Sequence, residues 1–113
     1  MIDEQEYAWL TDMRKAYLSS ADQKIGDLEH AISGLEMNPD SRGQTRRLRR
    51  LLHNLIGSGA SYGFQDVTDI ARKMSDRLKS QIGDGSPVDQ GTLRDLKSGV
   101  EDLKKVFTEA NIC

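Results

Sequence analysis

The sequence predicts an all-α fold: an up-and-down antiparallel four-helix bundle with an additional N-terminal helix. Apolar residues recur at helical spacing nearly everywhere, and no stretch alternates with a period of two. Breakers at Asn38-Pro39-Asp40 and Gly83-Asp84-Gly85 divide the chain into segments with short connections, which makes successive helices antiparallel. Each segment carries an apolar stripe wide enough to seat it on neighbours and a charged face opposite.

In chain order, residues 3–18 place Tyr7, Leu10, Met13 or Arg14, and Tyr17 along one stripe. Residues 21–37 space Ile25, Leu28, Ile32 and Leu35 cleanly for a helix, which Pro39 ends because proline cannot continue the hydrogen-bond ladder. Residues 44–62 form the third helix, treated below. Residues 65–82 supply Val67, Ile70, Ala71, Met74, Leu78 and Ile82. Ser86-Pro87-Val88-Asp89 then reads as a helix start, with Ser86 as cap, Pro87 at the first helical position and the acid in the first turn. Leu93, Leu96, Val100, Leu103 and Phe107 make the last stripe. Met74, and Met13 beside Trp9, read as core packing.

At 113 residues the chain is one domain, spanning 1–113, and buries roughly two-thirds of its unfolded surface without staples. One Trp, three Tyr and two Phe are few for an enzyme with a large organic pocket. A net charge of −2 does not advertise a nucleic-acid or membrane partner, so any basic function is local. The single cysteine, Cys113, can form no disulfide within the chain, and no metal-ligand spacing exists. No apolar run approaches the ~20 residues of a membrane span, and the acidic start is not a signal peptide. A reducing cytoplasm is the expected compartment.

The stretch HNLIGSGASYGF, residues 53–64, places three glycines within seven residues directly after RRLRRLL. A phosphate-cradling loop there would follow a buried strand and end in Gly-Lys-Ser/Thr, and neither holds. Placed at about 100° per residue, Leu48, Leu51, Leu52, Leu55, Gly59 and Tyr62 share one arc, while Arg46, Arg49, Arg50, His53, Gly57 and Ala60 share another. The core stripe runs unbroken through the glycines, so the segment is helix until Gly63 ends it. Gly59 lies on the core face, where it admits a neighbouring helix. Gly57 lies outward, one turn after His53, and leaves the imidazole accessible to something large.

These residues resemble the histidine-containing phosphotransfer (HPt) domains of two-component phosphorelays. That family carries a histidine in a helix, an apolar residue two later, usually lysine three later, and glycines four and ten later. His53, Leu55, Gly57 and Gly63 match, Ser58 fits the small residue after the first glycine, and Phe64 begins the next helix. The resemblance implies that His53 accepts a phosphoryl group from a receiver-domain aspartyl phosphate and passes it to another receiver. One ring nitrogen must be unprotonated to attack, which imidazole satisfies at neutral pH. The implied partners are response-regulator receivers or hybrid sensor histidine kinases. The implied Mg²⁺ belongs to the receiver, so no cofactor or metal is expected on this chain.

One position departs from the pattern: Ile56 stands where the family usually has lysine. Arg49 or Arg50, one turn before His53, is the expected substitute, since a guanidinium binds phosphate oxygens in pairs. Receivers are expected to dock over Arg46, Arg49, Ile56, Gly57 and Ala60, with surface from the second helix, on a monomeric protein. A receiver-docking regulator without phosphotransfer is one alternative. Another is nucleic-acid binding through Arg46, Arg47, Arg49 and Arg50, which the acidic balance and lack of exposed stacking aromatics oppose. Autophosphorylation from ATP is not expected. Asn54 stands where kinase dimerisation helices usually carry an acid, and there is no room for an ATP-binding domain. His30 reads as an inert surface histidine without a glycine clearing.

Overall fold

The computed structural model describes residues 4–82 and 87–112, with side chains described for 8–81 and 87–110. Five helical segments are present: α1 (Glu4–Ser19), α2 (Ala21–Met37), α3 (Arg42–Tyr62), α4 (Gln65–Ile82) and α5 (Gln90–Ile112), with no strand among the described residues. Only Ser20 separates α1 from α2. The Ser19 hydroxyl donates to the Ala16 carbonyl and the Ser20 hydroxyl to the Tyr17 carbonyl, and both compete with the backbone ladder. The pair thus forms one interrupted rod of about 50 Å, in keeping with the 52 Å long axis of the molecule.

Helices α2, α3, α4 and α5 close the bundle, each packing against its two neighbours in the order α2–α3–α4–α5–α2. Side-chain pairs show the antiparallel sense. Lys97 pairs with Glu36 while Lys104 pairs with Glu29, so α5 ascends as α2 descends. The core is fully sealed at Leu28, Leu35, Leu48, Leu52, Val67, Leu78, Leu96 and Leu103. Buried Met74 packs there as its stripe predicts. No described helix is long and apolar enough to cross a membrane.

Several local expectations are corrected. Trp9 is 61% exposed, not core, because α1 outruns the bundle and has no helix opposite its first turns; Met13 is half-buried. The side chains of Tyr7 and Ile82, together with Gly83-Asp84-Gly85, Ser86 and Cys113, lie outside the described residues. Helix α3 starts at Arg42 rather than 44, because the Ser41 hydroxyl accepts from the Gln44 N–H at 3.2 Å and caps it.

The start of α5 also differs. Pro87 and Val88 precede the helix, where the Val88 N–H donates to the Pro39 carbonyl at 3.2 Å and ties the two connecting loops together. Asp89 is the cap: its carboxylate accepts from the Thr92 N–H at 2.7 Å. That backbone bond, helped by the Thr92 hydroxyl, holds the Asp89 carboxyl below the usual carboxylate range. A depressed folded-state pKa contributes stability above the unfolded value of about 3.9, and this is lost as pH falls through the folded value. Melts of wild type and Asp89→Asn from pH 7 to pH 3 are therefore expected to converge in the acid range. A gap independent of pH would contradict the bond's charge-assisted character.

Candidate functional site

Helix α3 sorts its residues by face. Leu48, Leu52, Leu55 and Gly59 are buried, Leu51, Ile56 and Tyr62 are half-buried against the core, and Arg46, Arg49, Arg50, His53, Gly57 and Ala60 are exposed. One outward face therefore brings together the expected site residues, with Ile56 at its border.

The three glycines of this helix end differ in their surroundings. A Cβ at Gly57 would meet no atom within 4 Å. Helical side chains lean toward the helix N-terminus, so a residue at 57 would lie over His53, and glycine leaves that approach open. At Gly59 a Cβ would fall 2.5 Å from the Thr68 hydroxyl and 3.0 Å from both the Thr68 nitrogen and the Phe64 carbonyl oxygen. The beginning of α4 thus lies against bare α3 backbone, and the Thr68 hydroxyl donates to the Ile56 carbonyl at 2.8 Å. Gly63 adopts φ 81° and ends the helix. Its N–H donates to the Ala60 carbonyl and the Phe64 N–H to the Gly59 carbonyl, satisfying carbonyls that the last turn would leave bare.

Helix α1 braces this end of α3. The Arg14 Nε donates to the Tyr62 carbonyl at 3.0 Å, placing a cation at the helix C-terminus. Tyr17 stacks on Tyr62 and Phe64, with ring centroids 4.9 and 5.3 Å apart, and its hydroxyl shares a 2.8 Å hydrogen bond with Ser58. Burial pushes the Tyr17 phenol up, the Ser58 bond opposing it. Lys24 lies over the Tyr17 ring and bonds the Ser20 hydroxyl, and burial pushes its ammonium down. Periodicity places Tyr17 on the inward stripe of α1 but reveals neither its bond to Ser58 nor the supporting roles of Arg14 and Thr68. Each pairs with an atom on another helix, which spacing along one helix does not encode.

The arginines of α3 part company. The Arg47 guanidinium donates to His30 Nδ1 at 2.7 Å and lies 3.8 Å from the Asp27 carboxylate, so it faces α2 and leaves the expected nucleic-acid row. Because arginine only donates, His30 Nδ1 must accept, which places the ring proton on Nε2. His30 has the same offset to a following glycine as His53, but a Cβ at Gly34 would fall 2.7 Å from the Gln44 side chain, so no clearing exists there. Arg46, Arg49, Arg50 and the His53 ring engage no described residue by hydrogen bond or ion pair.

Ile56, whose carbonyl accepts from Thr68 of α4, lies about 60° from His53 around the α3 axis, and Asn54, about 100° the other way, lines a cavity with Lys24 and Asp27 of α2, so both helices flank the His53 face. Among the described residues no three His, Cys, Asp or Glu side chains gather as a metal site requires.

Residues 12–106 match the family described as the Hpt domain. The chemotaxis protein CheA of Halobacterium salinarum is 21% identical over 100 residues, which cover 88% of this chain. The matched region spans only 15% of that relative's length. No solved structure gives a significant match.

Proposed function

The chain belongs to the Hpt domain family, the histidine phosphotransfer domains of two-component systems, and from that premise we propose that His53 is its phosphoacceptor. The observation that carries this reading is the exposed imidazole on α3, without a partner among the described residues, with open space one turn on at Gly57. An unprotonated ring nitrogen of His53 attacks the phosphorus of a receiver's aspartyl phosphate. The new N–P bond forms as the P–O bond breaks and the carboxylate leaves, and a second receiver takes the phosphoryl group by the reverse sequence.

The Mg²⁺ that neutralises phosphate charge in this exchange is the receiver's. This chain contributes a bare approach, a flat docking border of Ile56, Gly57 and Ala60, and the cations Arg46, Arg49 and Arg50. Arg49 and Arg50, one turn before His53, lie where its side chain leans and bind the transferred phosphoryl oxygens. The chain acts as a monomeric cytoplasmic carrier between receivers, whether free or within a hybrid kinase, and not as an ATP-dependent kinase.

Incubation with a phosphorylated receiver tests this. Acid-labile, alkali-stable label mapping to the peptide that contains His53 is the expected result, and Arg49→Ala with Arg50→Ala should shorten the label's lifetime roughly threefold or more. Label at His30, or receivers that bind without ever transferring, would sink the phosphoacceptor reading. An unchanged lifetime would remove the two arginines from it.

A further inference from the structure

We propose that Lys79, on α4, supplies the counter-cation to the phosphorylated His53 that Ile56 cannot. The proposal rests on the phosphoacceptor reading above. Ile56 is half-buried against the core, so the position three after the histidine ends in hydrocarbon. A phosphoryl group arriving on a mid-helix imidazole gets no help from a helix N-terminus, and its remaining neutralisation must come from side chains.

The register between α3 and α4 says which side chains qualify. The antiparallel pair is pinned where Thr68 meets Ile56 and Gly59. Two turns further along α4, buried Ser75 lies on the same flank as Thr68, at the level of Arg49 to Leu52 of the antiparallel α3. Arg72 and Lys79 stand three before and four after Ser75 on that flank, and both are exposed. Neither pairs with a described residue, although Asp69 and Asp76 share the outer face of α4.

Side-chain direction separates the two cations. Helical side chains lean toward their own N-termini, and these helices run oppositely. His53 leans toward Arg49 and Arg50, and Lys79 leans up α4 toward that same level. Arg72 leans the other way, toward Gly57 and Ala60. Lys79 therefore meets the imidazole tip across the groove, delivering from the facing helix the ammonium that the sequence lacks at 56. The compact charge of lysine, with three rotatable donors, suits a phosphoryl group that must later leave. The competing account is that Lys79, in the last turn of α4, only complements the helix dipole. That account predicts an effect on stability and none on the phosphorylated state.

The test follows decay of His53-bound label after donor receiver and Mg²⁺ are removed. In that decay the oxygen of water bonds to phosphorus, the N–P bond breaks, and imidazole and inorganic phosphate are released. Lys79→Ala is expected to shorten the lifetime roughly threefold to tenfold with an unchanged melting temperature, while Arg72→Ala stays within about twofold of wild type. Adding Ile56→Lys to Lys79→Ala should restore the lifetime, because it returns an ammonium to the same space. If wild type labels on His53 and Lys79→Ala decays like wild type, this inference alone is overturned. The same holds if Arg72→Ala carries the effect. If wild type takes no label, the phosphoacceptor reading fails and this inference with it.

Discussion

His53→Gln is expected to abolish labelling by a phosphorylated receiver while leaving the fold intact. Glutamine keeps similar bulk and polarity but offers no nucleophilic ring nitrogen, so the loss is complete rather than graded. Stability should move by less than about 0.5 kcal/mol, since the ring is exposed and bonds nothing described in the free protein. The matched control is His30→Gln. The His30 Nδ1 is occupied by Arg47, and the glycine one turn later is filled by Gln44, so that ring has neither a free inner nitrogen nor an open approach. Full labelling of His30→Gln beside none of His53→Gln is the expected pair. Retained acid-labile label on His53→Gln would require a different acceptor. A large drop in melting temperature would show that the ring is structural after all.

Why the two histidines differ is only half visible in the sequence. Both stand four residues before a glycine on an amphipathic helix, so the expectation that His30 lacks a glycine clearing passes over Gly34 and does not follow from spacing. The distinction lies in which neighbouring helix faces the glycine, and periodicity does not encode that. Periodicity did encode each helix's inward face: buried Leu48, Leu52, Leu55 and Gly59 form the stripe read from spacing, and the arginine–histidine arc is the exposed one. What it could not supply is the rotation of one helix about another. The closeness of α4 at Thr68, beside the α2 surface expected there, was therefore not legible from spacing. Caps failed for a related reason: Ser86-Pro87 and Asp89 are each acceptable starts, and the choice of Asp89 depends on tying Val88 to the Pro39 carbonyl across the bundle. Trp9 was misplaced because a stripe says which face is apolar, not whether any partner extends far enough to cover it.

The same substitution at two glycines two residues apart, on opposite faces of α3, should act in opposite senses, and this is the sharpest check on their separate duties. Gly57→Ala places a methyl group where nothing lies within 4 Å. It should therefore stabilise α3 by about 0.5–1 kcal/mol, the usual gain of alanine over glycine in a helix. That the position is glycine despite this gain is the argument that space over His53 is worth more than helix propensity. Gly57→Leu extends the test, because its side chain leans back over the imidazole while still facing solvent. Receiver-dependent transfer should fall on the order of 100-fold with the melting temperature unchanged or higher. Gly59→Ala gains the same propensity but drives its methyl into the Thr68 hydroxyl at 2.5 Å and into backbone atoms at 3.0 Å. Backbone cannot rotate aside as a side chain can, so α4 must back away from α3, weakening the Thr68–Ile56 bond and the packing around it. A net loss of about 1–3 kcal/mol is expected in denaturant or thermal melts. Equal stability changes at the two positions, or full transfer by Gly57→Leu, would refute this division of labour.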